Sequence, residues 1–479
     1  MINLIKNEFI KVFKKKSIYI ILIITIGFII FANFMYKNTD NNMYYNGYDA
    51  ELIKSYEDSM PSPDDPKNNT MYIDMKAQLD YMNLMEKYSF DSWQGHVLQR
   101  SSDINNLLHI IAEYEYSLKQ TVSEQEYLTA KQDYDSFIQK LESDDWRYFV
   151  SSELKDINQE IEFLKQSNVN TDSNSFQQAQ IQKQILEWRL EKGISYDRSF
   201  LNTCLEQYEN SFSTIYSYEH SNNHSYSEKQ DYYEALEKLN ENKYYIENNI
   251  QNISSNDNRG ILLNLANEYE LFILIFTIMI AGSIVSDEFN KGTIKLLLVR
   301  PYSRAKILLS KFIVCMIILI LFIAVIGITQ FILGGIIQGF DSVTVPAVIY
   351  NHNTNQIQTM NIFSYMVISI LAKLPVYILL MTLAFACSTI FINTAVSIVL
   401  PLLGYMASSL LNQLALAYNI KAILYFVTPN WDFTNYLWGG LPMFEQLTIP
   451  FSIVICIIYF MIMMITSFIV FKRRNIKNI

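Results

Sequence analysis

A chain of 479 residues that is half apolar, carries a formal net charge of −10 and has a mean hydropathy of only +0.10 averages two unlike populations. Residues 37–267 hold 20 Lys plus Arg against 39 Asp plus Glu, a net of −19, while the remainder holds 17 against 8, a net of +9. An acidic, water-compatible segment is therefore set into a basic, membrane-type chain. Of the four cysteines only Cys204 falls in the acidic segment, which excludes an internal disulfide there.

Residues 1–17 interleave Lys6, Lys11, Lys14, Lys15 and Lys16 with apolar side chains. Ile2, Ile5, Phe9, Val12 and Phe13 share one helical face, the pattern of an amphipathic elbow helix in the membrane interface. Residues 18–36 make a first span (TM1). The competing reading is a cleaved signal peptide, but the run is long for one and ends without a small-x-small site, so a signal anchor is expected.

Residues 37–267 then form an extracellular domain with helical periodicity. Met71, Met75, Leu79 and Met82 step by four and three, as do Leu154, Ile157, Ile161 and Leu164. Five to seven helices and little or no sheet are expected, with loops at the Pro61, Pro63, Pro66 cluster and near residues 168–175 and 220–227. The acidic, Tyr-rich surface suits a cationic peptide; the simpler reading is a solvated helical face. His220 and His224 have ligand-like spacing but sit in a Ser/Asn-rich stretch, so no metal site is expected.

Residues 269–286 are the second span (TM2), with Glu268 and Glu270 at its outer mouth as carboxylates that either line a pathway or are simply hydrated. Residues 287–306 form a loop in which Lys291, Lys295, Arg300, Arg304 and Lys306 face only Asp287 and Glu288. A basic loop between two spans is retained on the cytoplasmic side and orients the chain. The run at 294–299 between Gly292 and Pro301 reads as a short helix at the membrane surface.

The stretch 286–311 also carries a motif. Glu288, Gly292, Thr293, Leu297, Pro301, Ser303, Arg304 and Lys311 spell E-x3-G-T-x3-L-x3-P-x-S-R-x6-K, which resembles the first cytoplasmic loop of ABC-2 type permeases, the membrane subunits of ATP-driven exporters. The resemblance implies that the loop docks on a separate ABC ATPase subunit, with Glu288 ending TM2, Gly292 permitting close backbone approach, and Pro301 with Arg304 setting the return into the next span. It implies two ATPase copies and a second permease copy, as homodimer or heterodimer. The large insert at 37–267 departs from the usual family plan, so family substrates are not carried over.

Residues 307–337 form TM3, and 338–373 an extracellular loop. Within that loop, 362–372 is apolar and is interrupted by Lys373 and Pro375. Burying a lysine at mid-bilayer costs about 2.5 to 3.5 kcal/mol, so an interfacial or re-entrant piece is expected to end there, with Lys373 at the headgroups or lining a pathway. TM4 (374–392), a tight turn, TM5 (395–418), an extracellular re-entrant or interfacial region (419–449) with headgroup aromatics Trp431, Tyr436 and Trp438, TM6 (450–471) and a basic cytoplasmic tail (472–479) complete the chain.

The expected fold is an all-α membrane protein: six transmembrane helices of ABC-2 exporter type plus a helical extracellular domain, in a bacterial plasma membrane with both termini cytoplasmic. No G-x4-G-K-[ST] phosphate loop is present. The chain is therefore expected to be a non-catalytic subunit, with ATP and Mg held by the partner ATPase, membrane lipids around it and no nucleic-acid partner. The function implied is export, of a peptide or antimicrobial compound. The alternative is a membrane-anchored sensor or resistance protein whose outer domain binds a cell-envelope ligand without transport.

Overall fold

A computed structural model describes residues 1–42, 48–88, 92–119, 121–143, 145–251, 253–254, 256–294 and 302–474. The chain divides into two compact units, residues 1–40 with 253–479, and residues 41–252. It is mostly helical.

The first unit begins with α1 (Ile2–Phe13) and α2 (Lys16–Asn42). The second unit holds nine helices among its described residues: α3 (Ala50–Asp58), α4 (Asn69–Lys87), α5 (Trp93–Arg100), α6 (Ser102–Tyr116), α7 (Glu124–Glu142), α8 (Trp146–Gln166), α9 (Asn174–Lys192), α10 (Phe200–Glu219) and α11 (Tyr226–Glu247). That exceeds the five to seven expected, because pieces as short as α3 and α5 repeat their apolar positions too few times to register as periodic. Side-chain caps mark where the chain turns into helix. Ser123 with Glu126 and Ser225 with Glu228 form capping boxes at α7 and α11, and Ser92, Ser173 and Ser199 cap α5, α9 and α10. The core of this unit gathers Trp93, Leu98, Leu108, Leu141, Val150 and Leu186.

The first unit resumes with α12 (Asn258–Leu263), α13 (Leu265–Glu268), α14 (Glu270–Ser283) and α15 (Ser286–Asn290), then α16 (Arg304–Gln338). A hairpin of β1 (Ala347–Asn351) and β2 (Gln356–Met360) follows, antiparallel, with Ala347 opposite Met360. It is a departure from an all-α reading: alternation over five residues is short, and the connection lacks the Asn-Gly or Asp-Gly signature of a two-residue turn. The Arg259 guanidinium from α12 ties the hairpin down through the carbonyls of Val345 (3.1 Å) and Pro346 (2.7 Å). The last helices are α17 (Ile362–Phe391), α18 (Thr394–Ala417) and α19 (Ile449–Arg473).

Among the described residues, five helices are long and apolar enough to cross a membrane: Lys16–Lys37, Arg304–Gln338, Ile362–Phe391, Thr394–Ala417 and Ile449–Arg473. Together they make the chain a multi-pass membrane protein. The apolar α14 has 14 residues, shorter than the span expected at 269–286. It is buried over most of its circumference, with Ile273, Leu274, Phe276, Ile278 and Ala281 inside, and packs on α16, α17 and α18. By contrast α2, α18 and α19 leave most of their apolar surface uncovered within this unit.

The expected break at Lys373 is absent: α17 runs through both Lys373 and Pro375 as one helix. Two compensations explain the continuity. Pro375 removes the N–H that would bond the Leu371 carbonyl, and in the same turn the Ala372 carbonyl is tied from outside by the Phe433 N–H at 3.1 Å. The lysine charge is met by carboxylates, described below. Trp431, expected among headgroup aromatics, is instead buried in the core.

Where α14 crosses α18 the contact is closed by Gly282. A Cβ there would lie 2.9 Å from the Ser397 carbonyl oxygen and 3.0 Å from Ile398 Cγ1. Gly404 in α18 is the natural control, since a Cβ there meets nothing within 4 Å. Gly282→Ala is expected to destabilise the detergent-solubilised protein by about 1–3 kcal/mol through overpacking, whereas Gly404→Ala is expected to be neutral or mildly stabilising. Thermal unfolding of the two variants checks this, and equal effects would contradict the close crossing.

Candidate functional site

Two of the motif residues, Glu288 and Lys311, meet in a buried ionic cluster at one end of the first unit. Lys311, in the second turn of α16, is wholly buried. Its ammonium reaches Glu8 Oε2 at 2.6 Å, Glu288 Oε1 at 2.8 Å and the Ile284 carbonyl at 3.3 Å. Lys11 Nζ closes the ring from outside, 2.9 Å from both Glu8 Oε1 and Glu288 Oε1. Two ammoniums thus face two carboxylates, so the cluster is charge-neutral, which is the condition for keeping such groups out of water. Among the described residues Glu288 Oε2 has no hydrogen-bond partner.

Glu8 is the member that sequence reading missed. The buried face of α1 runs through Leu4, Glu8 and Val12, whereas the expected face included Ile2, which is exposed. A carboxylate on the buried side defeats any assignment made by hydropathy alone. Burial pushes the Glu8 carboxyl up, but the charge and hydrogen bond of Lys311, with those of Lys11, outweigh it and hold the carboxyl below its usual range. The pairing therefore contributes stability above the unfolded value near ~4.3, and loses it as pH falls through the lower folded value.

Around this cluster, three consecutive residues are each held by different elements. The Ser286 N–H donates to Ser388 Oγ of α17 (3.0 Å), and its hydroxyl meets Thr394 Oγ1 of α18 at 2.8 Å. Asp287 accepts from Lys15 Nζ (2.7 Å) and from Thr394 Oγ1 (3.1 Å). Glu288 is held by α1 and α16 as above. The chain leaving α14 is thus gripped by four neighbours within three residues.

The remaining motif positions have distinct local tasks. Gly292 has φ +68°, a left-handed turn that glycine adopts without strain, and among the described residues a Cβ there would meet nothing within 4 Å. Thr293 Oγ1 donates to the Glu288 carbonyl at 3.4 Å. Ser303 is the N-cap of α16, accepting from the Lys306 N–H. Arg304 donates to the carbonyls of Lys472 (3.0 Å) and Arg474 (2.9 Å), binding the end of α19. Arg474 in turn donates to Thr389 and Ile390 carbonyls, both at 2.8 Å, closing the C-terminus of α17. Leu297, Pro301 and all but the first residue of the surface helix expected at 294–299 lie outside the described residues.

A second cluster surrounds Lys373. Its ammonium lies 2.6 Å from Asp432 Oδ2, 3.2 Å from Glu270 Oε2 and 3.2 Å from Asn267 Oδ1. The two expected pathway carboxylates separate here: Glu270 pairs with Lys373, while Glu268 is exposed and accepts from the Tyr36 hydroxyl at 3.3 Å. Asp432 escaped the sequence reading because it lies in an irregular segment far along the chain. Deeper in the unit, Gln330 and Asn33 exchange amide hydrogen bonds (3.0 and 3.1 Å), and the Tyr269 hydroxyl donates to Gln330 Oε1 at 2.5 Å. Among the described residues no group of His, Cys, Asp and Glu is placed to hold a metal.

These features define a multi-pass membrane protein with ionic clusters tying its helices together. Residues 233–477 match the family described as "Protein of unknown function (DUF2705)", and the chain belongs to that family. It is 30% identical over 237 residues to "Uncharacterized protein YhcI" of Bacillus subtilis (strain 168), covering 50% of this chain and 75% of that protein. It is also 30% identical over 208 residues to "Uncharacterized membrane protein YdbK" of the same organism, covering 43% and 79%. No solved structure matches the chain.

Lys311→Met would leave the Glu8 and Glu288 carboxylates buried with only Lys11 between them. A loss of roughly 3–5 kcal/mol is expected for breaking such a pair. Combining it with Glu8→Gln should cost less than the sum of the single changes by more than ~0.5 kcal/mol. Additive effects in a double-mutant cycle on the solubilised protein would mean that the two residues are not coupled.

Proposed function

We propose that the chain is the permease subunit of an ATP-driven ABC exporter of ABC-2 type, forming the translocation pathway and coupled to a separate ATPase through the 287–306 loop. In this reading α14, extended by the short helices on either side, is the sixth span. The outer domain lies between the first and second spans, and both termini are cytoplasmic. The orientation is supported by charge. The lysines of α1, the basic loop and the basic tail meet at one end of the first unit through Lys11, Lys15 and Arg304, as the positive-inside rule requires of a cytoplasmic face. The far end of the 35-residue α16 lies about 50 Å away at 1.5 Å per residue.

The observation that carries the coupling role is the grip on residues 286–288. Their contacts reach α1, α16, α17 and α18, so a displacement of the loop by closing ATPase subunits would be passed to four helices at once. Glu288, Lys311 and Arg304 act here as positioning residues, since their charged atoms are engaged inside the fold. ATP and Mg belong to the partner, in two copies, and a second permease copy, identical or related, completes the pathway. Glu270, Lys373 and Glu268 then stand at the outer mouth, where a peptide cargo would leave. A sensor or resistance role without transport is the second reading, favoured by the compact second unit with its own core.

A pull-down from native membranes tests the proposal. An ATPase polypeptide is expected to co-purify with the wild type and to be lost from the Glu288→Ala, Arg304→Ala double variant, which should still reach the membrane. Absence of any ATPase with the wild type would remove the engine from the exporter reading.

A further inference from the structure

The second unit contains a cavity of about 490 Å³ bounded by α5, α8, α9, α10 and the connection at 193–199. Its base is Arg189 of α9, only 5% exposed. One guanidinium nitrogen donates to the Ser195 carbonyl (3.0 Å) and to Asn202 Oδ1 (2.6 Å). The guanidinium also lies over the Tyr196 ring, 4.3 Å from its centroid, while the Tyr196 hydroxyl is occupied by Glu153 at 2.9 Å. All of these hydrogen-bond partners of Arg189 are neutral. Among the described residues no carboxylate reaches Arg189 at ion-pair distance, and its Nε–H has no acceptor. A buried cation without a direct ion pair is costly, and the nearby Glu153 and Glu206 act on it only at longer range, so the base of the cavity is electrostatically incomplete.

The walls carry both signs of charge. Glu206 and Glu209 lie one turn apart on α10, and Asp156 faces the same space from α8. None of the three forms an ion pair among the described residues, although Arg100 and Arg198 line the same cavity. Opposite charges that share a cavity without neutralising each other remain available to a ligand that carries both signs. A carboxylate is the planar, bidentate partner that a guanidinium favours, and ammonium groups complement the carboxylates of α10. The volume lies in the range of small-ligand sites.

We propose that this cavity binds a short zwitterionic peptide, with its C-terminal carboxylate on Arg189 and its ammonium groups against Glu206 and Glu209. The cavity residues all precede residue 233, where the family match begins, so the site is a property of this chain's insert. It stands independently of the ATPase-coupling reading, because binding needs neither ATPase nor transport.

The test is calorimetric titration of the full-length, detergent-solubilised protein with the tripeptide Lys-Ala-Ala and with its C-terminal amide. Saturable binding of the free tripeptide is expected. The amide, Arg189→Gln, and the Glu206→Gln, Glu209→Gln double variant should each weaken it by about tenfold or more, the loss of at least one charged hydrogen-bonding partner. Glu51→Gln, on α3 and away from the cavity, should leave it unchanged. Because Arg189 is buried, its variant needs a melting control; the Glu206 and Glu209 positions and the amide probe carry the test if it does not fold. No saturable binding up to millimolar tripeptide, equal binding of the amide, or wild-type affinity in the double variant would overturn the proposal.

Discussion

The membrane unit depends on one ammonium group. Lys311 is enclosed on all sides and cannot be hydrated, so two carboxylates from distant parts of the chain must come to it. Glu8 arrives on the N-terminal helix and Glu288 on the segment that ends α14. Withdrawal of either partner would leave a buried charge unpaired, so the three elements are held to one another through a single group. Lys11, half exposed at the rim, lets α1 touch both carboxylates while remaining in contact with water.

A second level of constraint comes from helix ends. The C-terminus of α17 is closed by Arg474 and that of α19 by Arg304, so two arginines satisfy orphan carbonyls at helix ends. The same economy recurs around Lys373, whose neutralisation by Glu270 and Asp432 lets α17 continue through a lysine and a proline. In both clusters the charged groups join helices to each other, and the apolar surface left on α2, α18 and α19 is free to face lipid or another helix.

Much of this was legible in the sequence where a property is local. Apolar runs found the long helices, and the motif singled out Glu288 and Lys311 without revealing that they pair with each other. What escaped depends on partners remote in sequence. Lys373 reads as a helix breaker until Asp432, 59 positions on, is brought beside it, and Glu8 reads as the exposed face of α1 until Lys311, 303 positions on, is placed under it. At Gly292 the left-handed backbone conformation by itself favours glycine. The short β1–β2 hairpin and the short helices of the second unit fell below the length at which periodicity carries a signal.

The central claim is that the basic loop beside this cluster docks an ATPase. All four native cysteines are buried and Lys291 is exposed, so Lys291→Cys introduces a single accessible thiol next to Gly292. Treating native membranes carrying this variant with a short thiol-to-amine cross-linker is the most direct measurement. The account predicts one dominant adduct, with a nucleotide-binding ATPase polypeptide. Adducts with other polypeptides only, or none, would contradict it.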